Sequence, residues 1–571
     1  MNPVPVIVIG AGPTGLTAAT LLGQYGIECL VLDRWASVYP QPRAVHLDDE
    51  VYHVLARLGL AEEFAAISWP CHGLRLLDPD MRPLAELRRG TAQGRHGYPE
   101  ANMFDQPALE AILRTNLKRY DSVTFRGDTE VTALTQDPAG RVRVDVTDRT
   151  TGRQDSLHAD YVLGCDGANS LTRTTIGATM RDLKFEQRWL VVDVDTGADL
   201  AEWEGVHQLC DPRRAATYMR VGTTRYRWEF RLAPGETADD FGDLARLHAL
   251  IVPWTKDIPV ERLRLVRMAE YTFRAQVADR WRDRRLFLLG DAAHLTPPFI
   301  GQGMGAGVRD AMNLAWKLAG VLGGALPEHL LDTYEIERKP HVRALIRLAK
   351  LVGMAMTEGG RVGNVLRRVL APRLHLVPGI SAHVLNSETP ALRRCELTVR
   401  PRLRRSLAGR LCPNADLGEG RRFDDVAAGR FAVVTSTDPS PDQRAAVQRR
   451  GGVLVVARSG TELGRWLREG RATAAAIRPD GTVLRAGRDL SVLCAALPGL
   501  GWDEMLTSAG RPLVRGQAVA LALDLETPIS VDDIPIGPGP QRLWEPSTST
   551  GLGRRPMMSC SRSAWRRWSL P

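Results

Sequence analysis

The residues of this 571-residue chain best suited to chemistry are glycines and acids set at the ends of short apolar runs. Val6-Ile7-Val8-Ile9 leads straight into Gly10-Ala11-Gly12-Pro13-Thr14-Gly15. Leu16, Ala19, Leu21 and Leu22 then follow at helical spacing as far as Gly26. A second apolar run, Cys29-Leu30-Val31-Leu32, ends in Asp33, with Arg34 behind it. Strand, spaced glycines, helix, strand and terminal acid together bind a dinucleotide. The glycines allow a tight turn, close approach to a pyrophosphate and close helix packing, and the acid accepts hydrogen bonds from a ribose.

Far downstream, Leu286-Phe287-Leu288-Leu289 enters Gly290-Asp291-Ala292-Ala293-His294, then Pro297-Pro298-Phe299-Ile300-Gly301-Gln302-Gly303-Met304-Gly305. Helical spacing resumes with Val308, Met312, Leu314, Ala315 and Leu318. A carboxylate therefore sits at the end of a buried strand. The glycines precede a helix N-terminus, where free N–H groups and the helix dipole attract negative charge. A third such end is Tyr161-Val162-Leu163-Gly164-Cys165-Asp166-Gly167, with Ser170 suited to be the N-cap of the next segment.

The elements that must position these ends read as alternating strands and helices. Between them, Gln41–Glu50 is a loop that loads acids onto a helix start. Arg43 in it could contact the phosphates or edge of a cofactor. His46 is a candidate for a reaction pocket, beside the plainer reading of a packed histidine. Asn102 to Leu113 begins a helix with Pro107 in its first turn. Trp189–Val194, Ala216–Arg220 and Arg225–Leu232 alternate like antiparallel strands. They offer Tyr218, Tyr226 and Trp228 beside arginines, although the alternation itself requires only a sheet with one buried face.

Three segments carry a resemblance: Gly10-x-Gly12-x-x-Gly15 with Asp33; Cys165-Asp166-Gly167 with Ser170 and Arg173; and Gly290-Asp291 with His294, Pro297-Pro298 and Gly301-Gln302-Gly303. Together they resemble the fingerprints of the single-component FAD-dependent aromatic monooxygenases. Pro42-Arg43-Ala44, Leu47-Asp48-Asp49-Glu50, Asn102 with Phe104 and Gln106-Pro107, and Asn313 with Trp316-Lys317 resemble the branch typified by 3-(3-hydroxyphenyl)propionate hydroxylase. The family loop commonly has glycine where Ile300 stands, and the branch a small residue where His46 stands.

The resemblance implies bound FAD and a transient NADH or NADPH. It also implies hydroxylation of a phenolic, 3-hydroxyphenylpropionate-like aromatic by O₂ through a C4a-hydroperoxyflavin. Gly10, Gly12, Pro13, Thr14 and Gly15 would hold the pyrophosphate, Asp33 and Arg34 the adenosine side, and Arg43 and Gln106 the extended cofactor. Asp166 would help close the cofactor site. Gly290 and Asp291 would meet the ribityl and phosphate region. Pro298, Gly301, Gly303 and Met304 would run along the isoalloxazine, the helix N-terminus stabilising its negative charge. His46, Pro298, Gly303 and Met304 are the expected catalytic set. His46, Tyr218, Tyr226, Trp228 and Ile300 are the expected substrate contacts. The pocket should be apolar and closable.

The fold class implied is α/β: a Rossmann-like FAD-binding domain at 1–75, 101–180 and 281–355, with an inserted mixed or antiparallel β-sheet substrate domain at 76–100 and 181–280. A helical connection at 356–400 leads to a thioredoxin-like domain at 401–540 and a disordered tail at 541–571. That domain has no C-x-x-C, so a scaffolding or homodimer-contact role is expected for it.

Composition narrows the function classes. The net charge of +9 is inflated by Arg554, Arg555, Arg562, Arg566 and Arg567; without them it is +4, no footprint for nucleic acid. Eight scattered cysteines read as reduced thiols of a cytoplasmic protein, with no metal pairing. No uncharged run reaches the length of a membrane span. The absence of a second G-x-G-x-x-G disfavours a disulfide-reductase type, and the absence of W-x-W-x-I-P a flavin halogenase. Two alternatives remain: oxygenation of a polyketide-type aromatic by hydroxylation, epoxidation or Baeyer–Villiger insertion, and a non-catalytic flavin-binding protein.

Overall fold

The runs Cys29–Leu32 and Leu286–Leu288 carry no polar side chain, and neither does Val4–Ile9. Strands of this kind belong in the middle of a parallel sheet covered on both faces. The computed structural model describes residues 3–41, 43–138, 140–358, 389–401 and 406–499. In it the strands lie in the order Leu286–Leu288, Gln154–Gly164, Val4–Ile9, Cys29–Leu32, Val123–Arg126, every neighbouring pair parallel. Ile9 is in register with both Leu32 and Gly164, and Gly164 with Leu288. The segments after these residues therefore emerge side by side at one edge. Parallel register does what separation along the chain could not: it gathers Gly10, Asp33, Asp166 and Asp291 at one place.

Helix Pro13–Gln24 packs on helix Gly303–Leu322. The approach is close enough that a Cβ on Gly307 would lie 2.2 Å from Thr14 Oγ1. The second sheet has eight strands in the order His294–Leu295, Arg264–Ala278, Met180–Asp195, Arg225–Arg231, Ala216–Arg220, Val206–Leu209, Gly73–Leu77, Pro83–Arg88. Neighbours are antiparallel except Val206–Leu209 beside Gly73–Leu77. One face is covered by helix Leu244–Thr255, whose Leu247, Ile251 and Trp254 are buried against it. The mixed α/β architecture with an antiparallel second sheet is the expected one.

A four-stranded sheet, in the order Val453–Val456, Ala432–Thr435, Ala474–Ile477, Val483–Gly487, closes the described chain. It is tied to the rest through His53 Nε2 to Asp424 Oδ2 (2.5 Å), Arg57 to the Pro479 carbonyl, and Arg478 Nη1 to Glu337 Oε1 (2.6 Å). Residues 359–388, most of the expected helical connection, lie outside the described residues. So do 500–571, with the expected tail and the end of the segment expected to be thioredoxin-like. Among the described residues, no helix is long and apolar enough to cross a membrane, and the seven cysteines are free.

Candidate active site

A cavity of about 980 Å³ lies between the edge of the parallel sheet and the uncovered face of the eight-stranded one. The three glycines of the first turn contribute differently. Gly10 has φ +102°, and a Cβ there would come 2.4 Å from the Cys165 carbonyl oxygen. A Cβ on Gly15 would come 2.0 Å from the Gly10 carbonyl oxygen. Gly12 alone has nothing within 4 Å of such an atom, and it lines the cavity with Pro13 and Thr14. No side chain caps the helix that begins there. Asp33 accepts from Ala11 N (2.6 Å) and Trp35 N (2.8 Å), so the acid at the second strand end also braces the turn.

The second helix N-terminus on the cavity is that of Gly303–Leu322, again without a side-chain cap. Its N-cap, Gln302, is committed elsewhere: Nε2 donates to Asp48 Oδ2 (2.7 Å), and Oε1 accepts from Arg309 Nη1 (2.9 Å). Arg309 also donates to Asp48 Oδ2 (2.6 Å) and Glu50 Oε1 (2.7 Å). This buried network anchors the loop carrying Gly303 and Met304, both of which line the cavity. Burial would raise the Asp48 carboxyl, but the Arg309 charge and the bonds from Gln302 and Val51 outweigh it and hold it at about 2. A depressed carboxyl stabilises above its unfolded value near 3.8, and that contribution is lost as pH falls towards 2. Urea titrations at pH 7 and pH 3 should show Asp48→Asn costing about 2 kcal/mol at the higher pH and less at the lower.

Pro298–Ile300 forms a short 3₁₀ turn ending at Gly301, which has φ +62°. A Cβ on Gly301 would lie 2.5 Å from His46 Nδ1, so the glycine admits the imidazole. His46, Pro298, Ile300 and Gly301 all line the cavity. Burial first, then the Arg89 charge, pushes His46 down to about 4, leaving a neutral ring at pH 7.

Arg34, Arg43, Gln106, Asp166 and Asp291 line the cavity as well. Gln106 Oε1 accepts from Arg43 N (3.1 Å) and Ala44 N (2.6 Å), shaping that loop. Asp166 accepts from Ser170 Oγ (2.6 Å), Thr172 N (2.9 Å) and Thr172 Oγ1 (3.0 Å), so its carboxylate fastens its own turn. Asp291 is exposed to the cavity, yet the surrounding protein raises its carboxyl. Gly15 and Gly290 do not line the cavity. Gly15 packs on Gly10, and Gly290 packs on Thr14 and donates to Asp310 Oδ2 (3.1 Å).

The expected substrate contacts Tyr218, Tyr226 and Trp228 require correction. They lie on the opposite face of the sheet, in the apolar cluster with Trp254. The residues that alternate with them face the cavity instead: Thr217, Met219, Arg227 and Glu229, with Gln208 of the neighbouring strand and Trp189, Phe273 and Phe299 completing the wall. The alternation was legible, but its phase was not. Buried aromatic side chains suit either a ligand or a covering helix. The signal that distinguishes them is the amphipathic segment Leu244–Thr255, whose Trp254 needs an apolar face to cover.

Two uncapped helix N-termini and one unobstructed glycine facing a single long cavity suit a ligand with a pyrophosphate at one end and an anionic ring further on. The family model described as FAD binding domain matches residues 3–349. The chain belongs to this family of FAD-dependent aromatic hydroxylases. It is 34% identical over 476 residues, 81% of this chain and 86% of the relative, to "3-(3-hydroxy-phenyl)propionate/3-hydroxycinnamic acid hydroxylase 2" of Burkholderia vietnamiensis. It is 32% identical over 535 residues, 89% of this chain and 96% of the relative, to "Probable NADH-specific resorcinol 4-hydroxylase" of Rhodococcus jostii. Among solved structures, a ternary complex of aklavinone-11 hydroxylase shares the fold at TM-score 0.73 and 23% identity, over 88% of this chain and 100% of that one. The enzyme is thus an FAD-dependent hydroxylase of a phenolic aromatic substrate, with a nicotinamide as reductant.

Proposed function

We propose that this flavoprotein adds a hydroxyl group to a small, single-ring phenol, using NADH or NADPH and O₂, in the cytoplasm. The observation that carries the reading is the cavity itself. Its uncapped helix ends lie on one side, and an apolar wall with a short polar row lies on the other. In this reading Gly12–Thr14 and Asp33 hold the pyrophosphate and ribose, with Arg34, Arg43 and Gln106 along the cofactor's length. Gly303 and Met304 present N–H groups to the negative side of the ring system; donors already oriented need no rearrangement when charge develops. FAD, when bound, supplies electron transfer from the nicotinamide and activation of O₂. Trp189, Phe273, Phe299 and Ile300 exclude water from the reacting ring. Neutral His46 is a proton acceptor on that wall. The C-terminal sheet serves as a scaffold, bound through Arg478.

The test is a purified preparation screened with resorcinol, 3-(3-hydroxyphenyl)propionate and polycyclic phenols for NAD(P)H oxidation coupled to O₂ uptake and a hydroxylated product. Coupled turnover with a single-ring phenol is expected. Coupled turnover with polycyclic phenols alone, or uncoupled oxidation with every compound, would overturn the proposal.

A further inference from the structure

The polar row on the cavity face of the second sheet has an unusual charge arrangement. Cross-strand register places Gln208 opposite Thr217, Thr217 opposite Glu229, and Glu229 opposite Val191. Thr217 Oγ1 donates to Gln208 Oε1 (3.0 Å), and Gln208 Nε2 donates to the Ala216 carbonyl (3.1 Å), so these two side chains largely satisfy each other and the backbone. Glu229 differs. Its side chain is only 12% exposed, and no described residue donates a hydrogen bond to it; its nearest cation is Arg227, 4.0 Å away. Arg227 in turn is committed to Asp193, at 2.7 and 3.0 Å, and to the Arg43 carbonyl at 3.0 Å. The other arginine this sheet puts into the wall, Arg274, is paired with Glu186 at 3.0 Å. Thus both cations lent by the sheet are already spent on acids, and Glu229, nearly enclosed, lines the cavity with no hydrogen-bond donor among the described residues.

We infer that Glu229 is the specificity residue of this site: it accepts the hydroxyl of a neutral phenol and turns away substrates that carry a carboxylate. The inference rests on the reading that this cavity takes a phenol, and it names the class of phenol. A buried carboxyl group has a lone pair for an O–H donor in either protonation state. Ionised, it repels a second carboxylate; neutral, it gives that carboxylate no counter-charge to offset the loss of water. Burial does raise this carboxyl against the opposing effect of Arg227, consistent with a group short of partners. A resorcinol-type diol, uncharged at pH 7, meets both conditions; a phenylpropionate meets only the first. Arg89, a cation that lines the cavity and whose charge acts on His46, is the rival anchor for a carboxylate.

Calorimetric binding to the FAD-loaded enzyme decides between them, with resorcinol and 3-(3-hydroxyphenyl)propionate as probes. Wild type should bind resorcinol at least about tenfold more tightly. Glu229→Gln should weaken resorcinol and strengthen the acid, bringing the ratio near one, while Glu229→Asp retains the preference for the diol. Flavin content of each variant reports folding, and Glu229→Asp keeps the test open if the glutamine variant loses FAD. Tighter binding of the acid by wild type, or a ratio moved by Arg89→Gln and not by Glu229→Gln, overturns the assignment. A yellow protein that hydroxylates some phenol while the ratio stays fixed would sink the role of Glu229 alone. A preparation with no phenol-dependent turnover would sink the functional proposal instead.

Discussion

Gly12→Ala should yield a protein that folds as the wild type does yet binds FAD at least about 100-fold more weakly. The added methyl meets no protein atom within 4 Å, so nothing in the fold resists it. What it fills is the approach to an uncapped helix N-terminus, where the proposed site would bring a pyrophosphate within hydrogen-bonding distance of the backbone. Gly15→Ala should behave differently. Its methyl would lie 2.0 Å from the Gly10 carbonyl oxygen, so the turn must open and the helix must shift from the strand behind it. Loss of FAD is then accompanied by loss of stability. Flavin retention on gel filtration, combined with urea midpoints of the two apoproteins, separates the cases. Equal midpoints for both variants would show that the third glycine is not a packing requirement.

Glu337→Ala should be the most destabilising single change in the network behind the active site, costing about 3–5 kcal/mol. Glu337 is fully buried in helix Thr333–Thr357. One oxygen takes Lys317 Nζ (2.8 Å) and Asn313 Nδ2 (2.8 Å); the other takes Arg478 Nη1 (2.6 Å), Thr398 Oγ1 (2.7 Å) and Cys395 Sγ (3.0 Å). Burial would raise this carboxyl, but Arg478 and Lys317 outweigh it and hold it well below the usual range. Removing it strands Lys317, whose own ammonium burial already disfavours, and leaves Arg478 only Asp480 as a carboxylate partner. The helix it holds carries Leu345, Leu348, Val352 and Met356 into the cavity wall, so flavin retention should fall as well. Replacing the cluster together, as Glu337→Leu, Lys317→Met and Arg478→Met, should recover much of the loss, because apolar packing can substitute for a complete ion network but not for half of one. Thermal unfolding of the single and triple variants checks this; a triple variant no more stable than Glu337→Ala would show that the charges themselves are required.

The sequence by itself determined the strand-end chemistry. Val6–Ile9, Cys29–Leu32 and Leu286–Leu289 are continuous apolar runs suited to a doubly covered parallel sheet, and the glycines and acids behind them are local features carried in a few adjacent residues. A dinucleotide site was legible for that reason, and FAD and the hydroxylation of a phenol followed from the family resemblance that these motifs carry. Tertiary structure alone decided which face of the second sheet lines the cavity. Strand alternation names two faces without choosing between them, and the choice fell to the helix at Leu244–Thr255, which claimed Tyr218, Tyr226 and Trp228 for its own core. It likewise decided that Asp48 and Glu50 clamp Arg309, and that Glu337 joins Lys317 to Arg478. Those partners lie far apart along the chain, and nothing in composition or periodicity couples them. A buried charge specifies that some partner must exist, while only the packed fold specifies which one.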